Sequence, residues 1–344
     1  MRSRMMLAAL GVAVVGAAAA VQGQQKKHLN PMIELHLQKQ PVFGLYAPAN
    51  PRGRGNRAGG PGAGGPGGAA AGATTPATPP PAPPVVKTPA ELAKDALAYE
   101  KSDFVFDGSM ERGVDAGIGP FTELVNGLAA AATPEARWRH PLSVKTPQIA
   151  PDPAKAIANI SRQLNLGAAT IVLVDVESAD EVKQGLAAMR FKSKGGTRPD
   201  DVGGAPAYWG LSEKEYRDKA DVWPLNPNGE LTNWSIVESK AGLAKIREIA
   251  AVKGIGVLFP GAGTLRGVFT TTDAEGKRTF DAEGWEAAIQ QVLAACKEFN
   301  VPCGYPATEA DIETRMKQGF SVFIMGWGEP GFRAIDIGRR AAGR

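Results

Sequence analysis

Eight short apolar segments recur along this chain, and a helical pattern follows each of them. The segments are residues 42–46, 103–107, 142–145, 170–175, 234–238, 255–259, 301–304 and 321–325. The helical patterns cover residues 121–131, 153–164, 179–189, 240–250, 281–299 and 308–317, with a last one at 331–342 and another that starts after Thr88. Strands that are apolar throughout need cover on both faces, and helices supply it when the strands run parallel. Eight such units in about 250 residues are the size of a closed barrel. An open doubly wound sheet is the alternative, but no G-x-G-x-x-G follows the first segment. The chain therefore reads as α/β, a single (β/α)8 TIM barrel over residues 28–344.

Two stretches stand outside this rhythm at the N-terminal side. Arg2 and Arg4 precede an apolar run of small and aliphatic residues that turns polar near Gln22. That is the pattern of a secretory signal peptide over residues 1–23, and the run is short of the roughly 20 apolar residues a membrane span needs. An uncleaved anchor is the other reading. No later segment is apolar enough to span a bilayer, so a secreted or periplasmic protein is expected. The second stretch, residues 51–87, is almost only Gly, Ala, Pro and Thr. Such a tract cannot bury enough apolar surface to offset its ordering entropy, so disorder is expected there. Before it lies the strand-like V-F-G-L-Y; after it, Thr88, Pro89 and Glu91 spell a capped helix start. The tract is thus an insertion in the first βα loop of one domain.

Charge excludes one class of partner. The chain carries a net charge of +4 with no long run of Lys and Arg, so it has no nucleic-acid footprint. Cys296 and Cys303 are its two cysteines. They could form a disulfide or stay as buried thiols, and free thiols are the favoured reading because connectivity cannot be read from spacing.

Barrel enzymes keep their working residues at the C-terminal ends of strands and in the loops beyond. The polar residues there are Asp107, Lys145, Asp175, Glu177, Glu238, Thr264 and Arg266. Several carboxylates around one barrel mouth suit a hard divalent cation such as Mg²⁺ or Mn²⁺. A lysine beside them would neutralise an anionic substrate or an enolate. Each acid also has a plain structural use: Asp107-Gly108 can start a turn, and the carboxylates of Glu177 and Glu238 suit the helix starts at Ser178 and Ser239. The glycine- and charge-rich residues 192–204 and the tryptophan-containing residues 208–231 are expected as further excursions on the active-site side. The histidines His28, His36 and His140 form no metal-binding or nucleophile motif.

The order of several motifs resembles the HpcH/HpaI aldolase/citrate lyase family of metal-dependent 2-oxo-acid aldolases. N-L-G-A-A-T-I-V-L-V-D-V-E-S-A-D-E-V at residues 165–182 is similar to the family's fourth strand and helix, and K-G-G-T-R-P at 194–199 to the glycine-arginine segment that follows. W-S-I-V-E-S at 234–239 resembles the fifth-strand Q-I-E-T. I-A-A-V-K-G-I-G-V-L-F-P-G at 249–261 and G-F-S-V-F-I-M-G-W at 319–327 resemble the sixth and last strands. The resemblance implies a divalent metal, Mg²⁺ or Mn²⁺, that holds the carboxylate and keto oxygen of a 2-oxo acid. It also implies a basic residue that stabilises the enolate and a histidine–aspartate pair that moves the proton.

Carried over residue by residue, the match is incomplete. Glu238 falls on the first metal-binding carboxylate and Lys145 on the arginine after the third strand. Asp107 falls on the aspartate of a D-G-E-H motif that reads D-G-S-M here. Thr264, in G-A-G-T-L-R, stands where the second metal-binding aspartate is expected, and Asp175 is the acid available to compensate. The candidate set is therefore Lys145 and Asp107 as catalytic groups, with Glu238, Thr264 and Asp175 toward a metal. The family also forms homo-oligomers through C-terminal helices, so Phe332, Ile335 and Ile337 are expected at a subunit contact. The leading expectation is an exported aldolase- or lyase-like enzyme acting on a small 2-oxo or hydroxy acid through an altered metal site. A non-catalytic barrel that binds a small carboxylate is the alternative, favoured by the lost histidine and aspartate, and a barrel enzyme of another class such as an isomerase is a third.

Overall fold

The computed structural model describes residues 27–50 and 86–344. The expected signal peptide and nearly all of the expected insertion lie outside them. Eight parallel strands are β1 (Val42–Tyr46), β2 (Phe104–Asp107), β3 (Leu142–Thr146), β4 (Thr170–Leu173), β5 (Leu231–Val237), β6 (Val257–Pro260), β7 (Gly304–Pro306) and β8 (Val322–Met325). They hydrogen-bond in the order β7-β8-β1-β2-β3-β4-β5-β6. The sheet curls as in a TIM-like barrel. Its two ends meet at a single parallel bridge between Leu258 of β6 and Cys303, where the Leu258 N–H donates to the Pro302 carbonyl at 3.0 Å.

Alternation along each strand divides the core in two. Val42, Phe104, Phe106, Val172, Trp234, Ile236, Val257, Phe259, Val322 and Ile324 form one buried cluster inside the curled sheet. The opposite positions, such as Phe43, Leu45, Val105, Val144 and Phe323, pack outward against the helices. Gly44 and Gly304 sit where the rings of Phe104 and Phe259 take up the interior, so a β-carbon at either would overlap an aromatic ring. An unanticipated helix, Pro31–Leu37, covers this interior from below with Met32 and Leu35. Asn30 caps it, accepting from the Met32 N–H at 3.1 Å, while its own N–H donates to Glu230 at 3.0 Å.

Several expectations need correcting. Cys296 and Cys303 form a disulfide and are not free thiols. The pair was ambiguous in sequence because only the turn after the helix Ala282–Phe299 brings the two together. The excursion between β4 and β5 lies on the face opposite the active-site end. The helix Ala179–Met189 has already carried the chain back before it begins, and its short strand Val222–Trp223 pairs with the first residues of β5. Of the apolar residues of the last helix, Glu329–Ala341, expected at a subunit contact, Ile335 is used within the subunit while Phe332 and Ile337 stay partly exposed. Ile335 is fully buried, Ile337 packs against the core and Phe332 stacks on Tyr99 with ring centroids 4.3 Å apart.

The long tract begins and ends at one place. The Asn50 side chain donates to the Lys87 carbonyl and accepts from the Lys87 N–H, both at 2.7 Å. Beyond Lys87, Thr88 and Glu91 complete the expected capping box of the helix Pro89–Ala98. Replacing residues 51–86 by a short Gly/Ser turn should leave the fold intact. It should raise stability by about 1–2 kcal/mol, because closing a chain segment several-fold shorter costs less entropy. Urea unfolding of both chains measures this, and loss of cooperative unfolding in the shortened chain would show that the tract belongs to the fold.

Candidate active site

Glu238 is the residue around which the C-terminal mouth of the sheet is built. It follows directly on β5 and is only 6% exposed. Gly261, just past β6, leaves room for it, since a β-carbon there would overlap the Glu238 side chain. Its Oε1 accepts the backbone N–H of Asp175 at 3.1 Å, and the Thr264 hydroxyl bonds to the same carboxylate. Burial pushes the Glu238 carboxyl above its ordinary value. The Thr264 bond and the Lys145 charge work against that rise, while the charges of Glu111 and Asp175 add to it.

Lys145 projects from β3. Its Nζ donates to Glu111 Oε1 at 2.8 Å, and its side chain is 12% exposed. Burial pulls the ammonium down, but Tyr46, Glu111 and Glu238 outweigh it and hold it above the usual lysine value. Asp175 lies beyond β4 in the left-handed region, at φ 47°. One of its carboxylate oxygens bonds to Gln148, while Oδ1 is buried with no partner. Burial and the nearby charge of Glu177 push its carboxyl up.

Glu238, Thr264, Asp175 and Glu111 line one cavity of about 660 Å³, which extends toward Lys155 and Asn159 on the helix Pro153–Asn165. Lys145 stands behind Glu111. Asp107 does not line this cavity. Its Oδ1 accepts from the Ser109 N–H at 2.8 Å and from the Ser109 hydroxyl at 2.5 Å, which fixes the turn after β2. Of the other candidates, Glu177 accepts from the Ser239 hydroxyl at 2.6 Å, and Arg266 stacks on Phe280 at 3.8 Å.

Sequence reasoning missed Glu111. Position-by-position comparison with D-G-E-H stops at Met110, which is fully buried beside Gln163. The carboxylate that reaches the cavity is the next residue along. The three histidines are elsewhere: His28 pairs with Glu230 at 3.3 Å, His140 bonds to the Ser102 carbonyl at 2.8 Å, and His36 stacks on Trp223.

The donors present are those a hard cation accepts: the Glu238 carboxylate, the Thr264 hydroxyl and the unpartnered Asp175 Oδ1. Among the described residues, no three His, Cys, Asp or Glu side chains form a fuller metal group. Two acids raised chiefly by burial also destabilise the folded chain when no cation is bound. The sign follows from proton uptake: a folded-state value above the unfolded one means stability falls as pH rises through that interval. Without added metal, Glu238→Gln should therefore melt higher than wild type at pH 7, on the order of 2–4 °C. The gap should narrow as pH falls and close below about pH 3, where the carboxyl is protonated in both states; a wild type that melts higher at pH 7 would refute the burial argument.

The sequence profile described as HpcH/HpaI aldolase/citrate lyase matches residues 141–328, more than half of the chain. No curated protein matches it in sequence. Among solved structures, an HpcH/HpaI aldolase/citrate lyase family protein from Burkholderia cenocepacia J2315 superposes with a TM-score of 0.59 at 19% identity, covering 91% of this chain and 97% of that one. An HpcH/HpaI aldolase from Desulfitobacterium hafniense DCB-2 gives 0.57 at 15% identity, with coverages of 86% and 90%. Macrophomate synthase gives 0.53 at 15% identity, with coverages of 92% and 88%. At these identities the likeness concerns the fold.

Proposed function

Because this chain belongs to the HpcH/HpaI aldolase/citrate lyase family, we propose that it is an exported enzyme that cleaves or forms a carbon–carbon bond in a small 2-oxo or hydroxy acid, with an altered divalent-metal site. Carbon–carbon lyase chemistry is the activity of the family. The observation that carries the reading here is buried Glu238 at the mouth of the sheet, within the field of the Lys145 charge and lining a cavity of a size for a small acid.

In this reading Glu238 and Asp175, with the Thr264 hydroxyl, hold Mg²⁺ or Mn²⁺. When bound, the ion supplies Lewis-acid polarisation of the 2-oxo group. Lys145, behind Glu111, adds a fixed positive charge to the field in which an enolate oxygen develops, and its burial strengthens that field relative to water. Asp107 keeps the turn at residues 108–111 in place from below. The eight-stranded sheet is read as a closed (β/α)8 barrel, supported by the Leu258–Cys303 bridge. Export is supported by the disulfide, a bond typical of oxidising compartments. A homo-oligomer, as in the family, is part of this reading, with the partly exposed Phe332 and Ile337 toward the contact.

The test is to offer purified protein a set of 4-hydroxy-2-oxo acids with Mn²⁺ and to couple released pyruvate to lactate dehydrogenase. Pyruvate release that disappears in Glu238→Gln supports the reading. Binding of these acids without release would favour a carboxylate-binding barrel instead, in keeping with the buried Met110 in the place of a histidine.

A further inference from the structure

The family's proton-moving histidine is absent from this cavity, yet cleavage of an aldol needs a group that takes one proton and gives it back. We infer that Glu111 is that group, held in place by Lys145; this rests on the lyase reading above.

The inference comes from what each acid around the cavity is already doing. Glu238 accepts the Asp175 N–H and the Thr264 hydroxyl. Asp175 is bonded to Gln148 through one oxygen, and its other oxygen is buried without a partner. Asp152 caps the helix Pro153–Asn165 by accepting the Lys155 N–H at 3.0 Å, and Asp115 pairs with Arg162 at 2.6 Å. Glu111 is different. Its Oε1 takes the Lys145 ammonium, which orients the carboxylate, and its side chain is 37% exposed on the cavity wall. A carboxylate anchored through one oxygen by an ammonium and partly exposed on the cavity wall has the geometry of a general base.

The step balances with this one residue. The Glu111 carboxylate takes the proton of the substrate's C4 hydroxyl. The electrons of that O–H bond form the aldehyde C=O, those of the C3–C4 bond pass into C2–C3, and those of the C2=O π bond move to its oxygen to leave the enolate. The aldehyde departs, and protonated Glu111 returns its proton to C3, giving the methyl ketone and the starting carboxylate. No oxidant, reductant or further reactant enters.

The reverse half of that sequence can be observed without knowing the natural substrate. Pyruvate in D₂O with the wild-type protein and Mg²⁺ should exchange its methyl protons, followed by proton NMR, because enolisation at C3 is the same proton transfer. Glu111→Gln should slow the exchange about 100-fold or more, the range a positioned general base supplies. Pyruvate binding, read by saturation-transfer NMR, should stay within threefold, and Glu111→Asp should keep part of the exchange rate. If wild type exchanges and Glu111→Gln exchanges equally fast, Glu111 is not the base and the lyase reading stands. If wild type binds pyruvate but does not exchange it, both fail together.

Discussion

Glutamine in place of Glu238 should weaken Mn²⁺ binding by about 100-fold or more, and aspartate in place of Thr264 should tighten it by about 10–100-fold. The two changes act on the same pair. Glu238 is the more buried of the two cavity acids that would hold the ion, and Thr264, bonded to it, offers a neutral oxygen. Glutamine keeps the shape and can still accept from Asp175 and Thr264, but it removes the charge. Aspartate at 264 adds a charge beside one already pushed up by burial, so without metal that variant should be less stable than wild type. Calorimetric titration of the three proteins with Mn²⁺ checks the order Thr264→Asp, wild type, Glu238→Gln. Equal affinity in all three would remove the metal site from the account.

The second large effect concerns the interior of the sheet. Gly44→Val and Gly304→Val should each destabilise the chain by about 3 kcal/mol, at the upper end of overpacking costs. In both cases the added side chain meets an aromatic ring, Phe104 or Phe259, and the ring is confined by Trp234 beside it. The cause can be separated from a general intolerance of β-branched residues. Adding Phe104→Ala to Gly44→Val should recover part of the loss in urea unfolding, whereas two independent defects would give a double variant less stable than either single one.

The apolar runs revealed the strands because strands buried on both faces leave little room for polar residues. Where a buried strand does contain them, its limits were misplaced. The fifth strand begins at Leu231, earlier than expected, and carries Thr232, Asn233 and Ser235. These satisfy one another or a neighbour: Thr232 bonds to Thr170 at 2.7 Å and Ser235 to Asn233 at 3.1 Å. The helix Val114–Ala131 was read short because Gly117, Gly119 and Pro120 hide its first turns. Of the site residues, Glu238, Thr264, Asp175 and Lys145 follow from strand position. Glu111 does not, because a turn has no period to give it away, and only the fold shows that it comes back to Lys145. Asp107 was legible both as a strand end and as the start of a turn, and the turn is the use its bonds to Ser109 show. The disulfide was hidden for a related reason: sequence separation says nothing about where a turn sends the chain.

The two hydrogen bonds between Asn50 and Lys87 separate the history of the barrel from that of the tract between them. Chain entering and leaving at one fixed point places no demand on how many residues lie between. Insertions, deletions and changes of composition there can accumulate without altering the spacing of β1 from the helix Pro89–Ala98. Related chains should therefore differ widely in the length of this tract while keeping an Asn, or another side chain that can both donate and accept, at its threshold. The doorway is inherited with the fold, and the sequence between its two posts is free to drift.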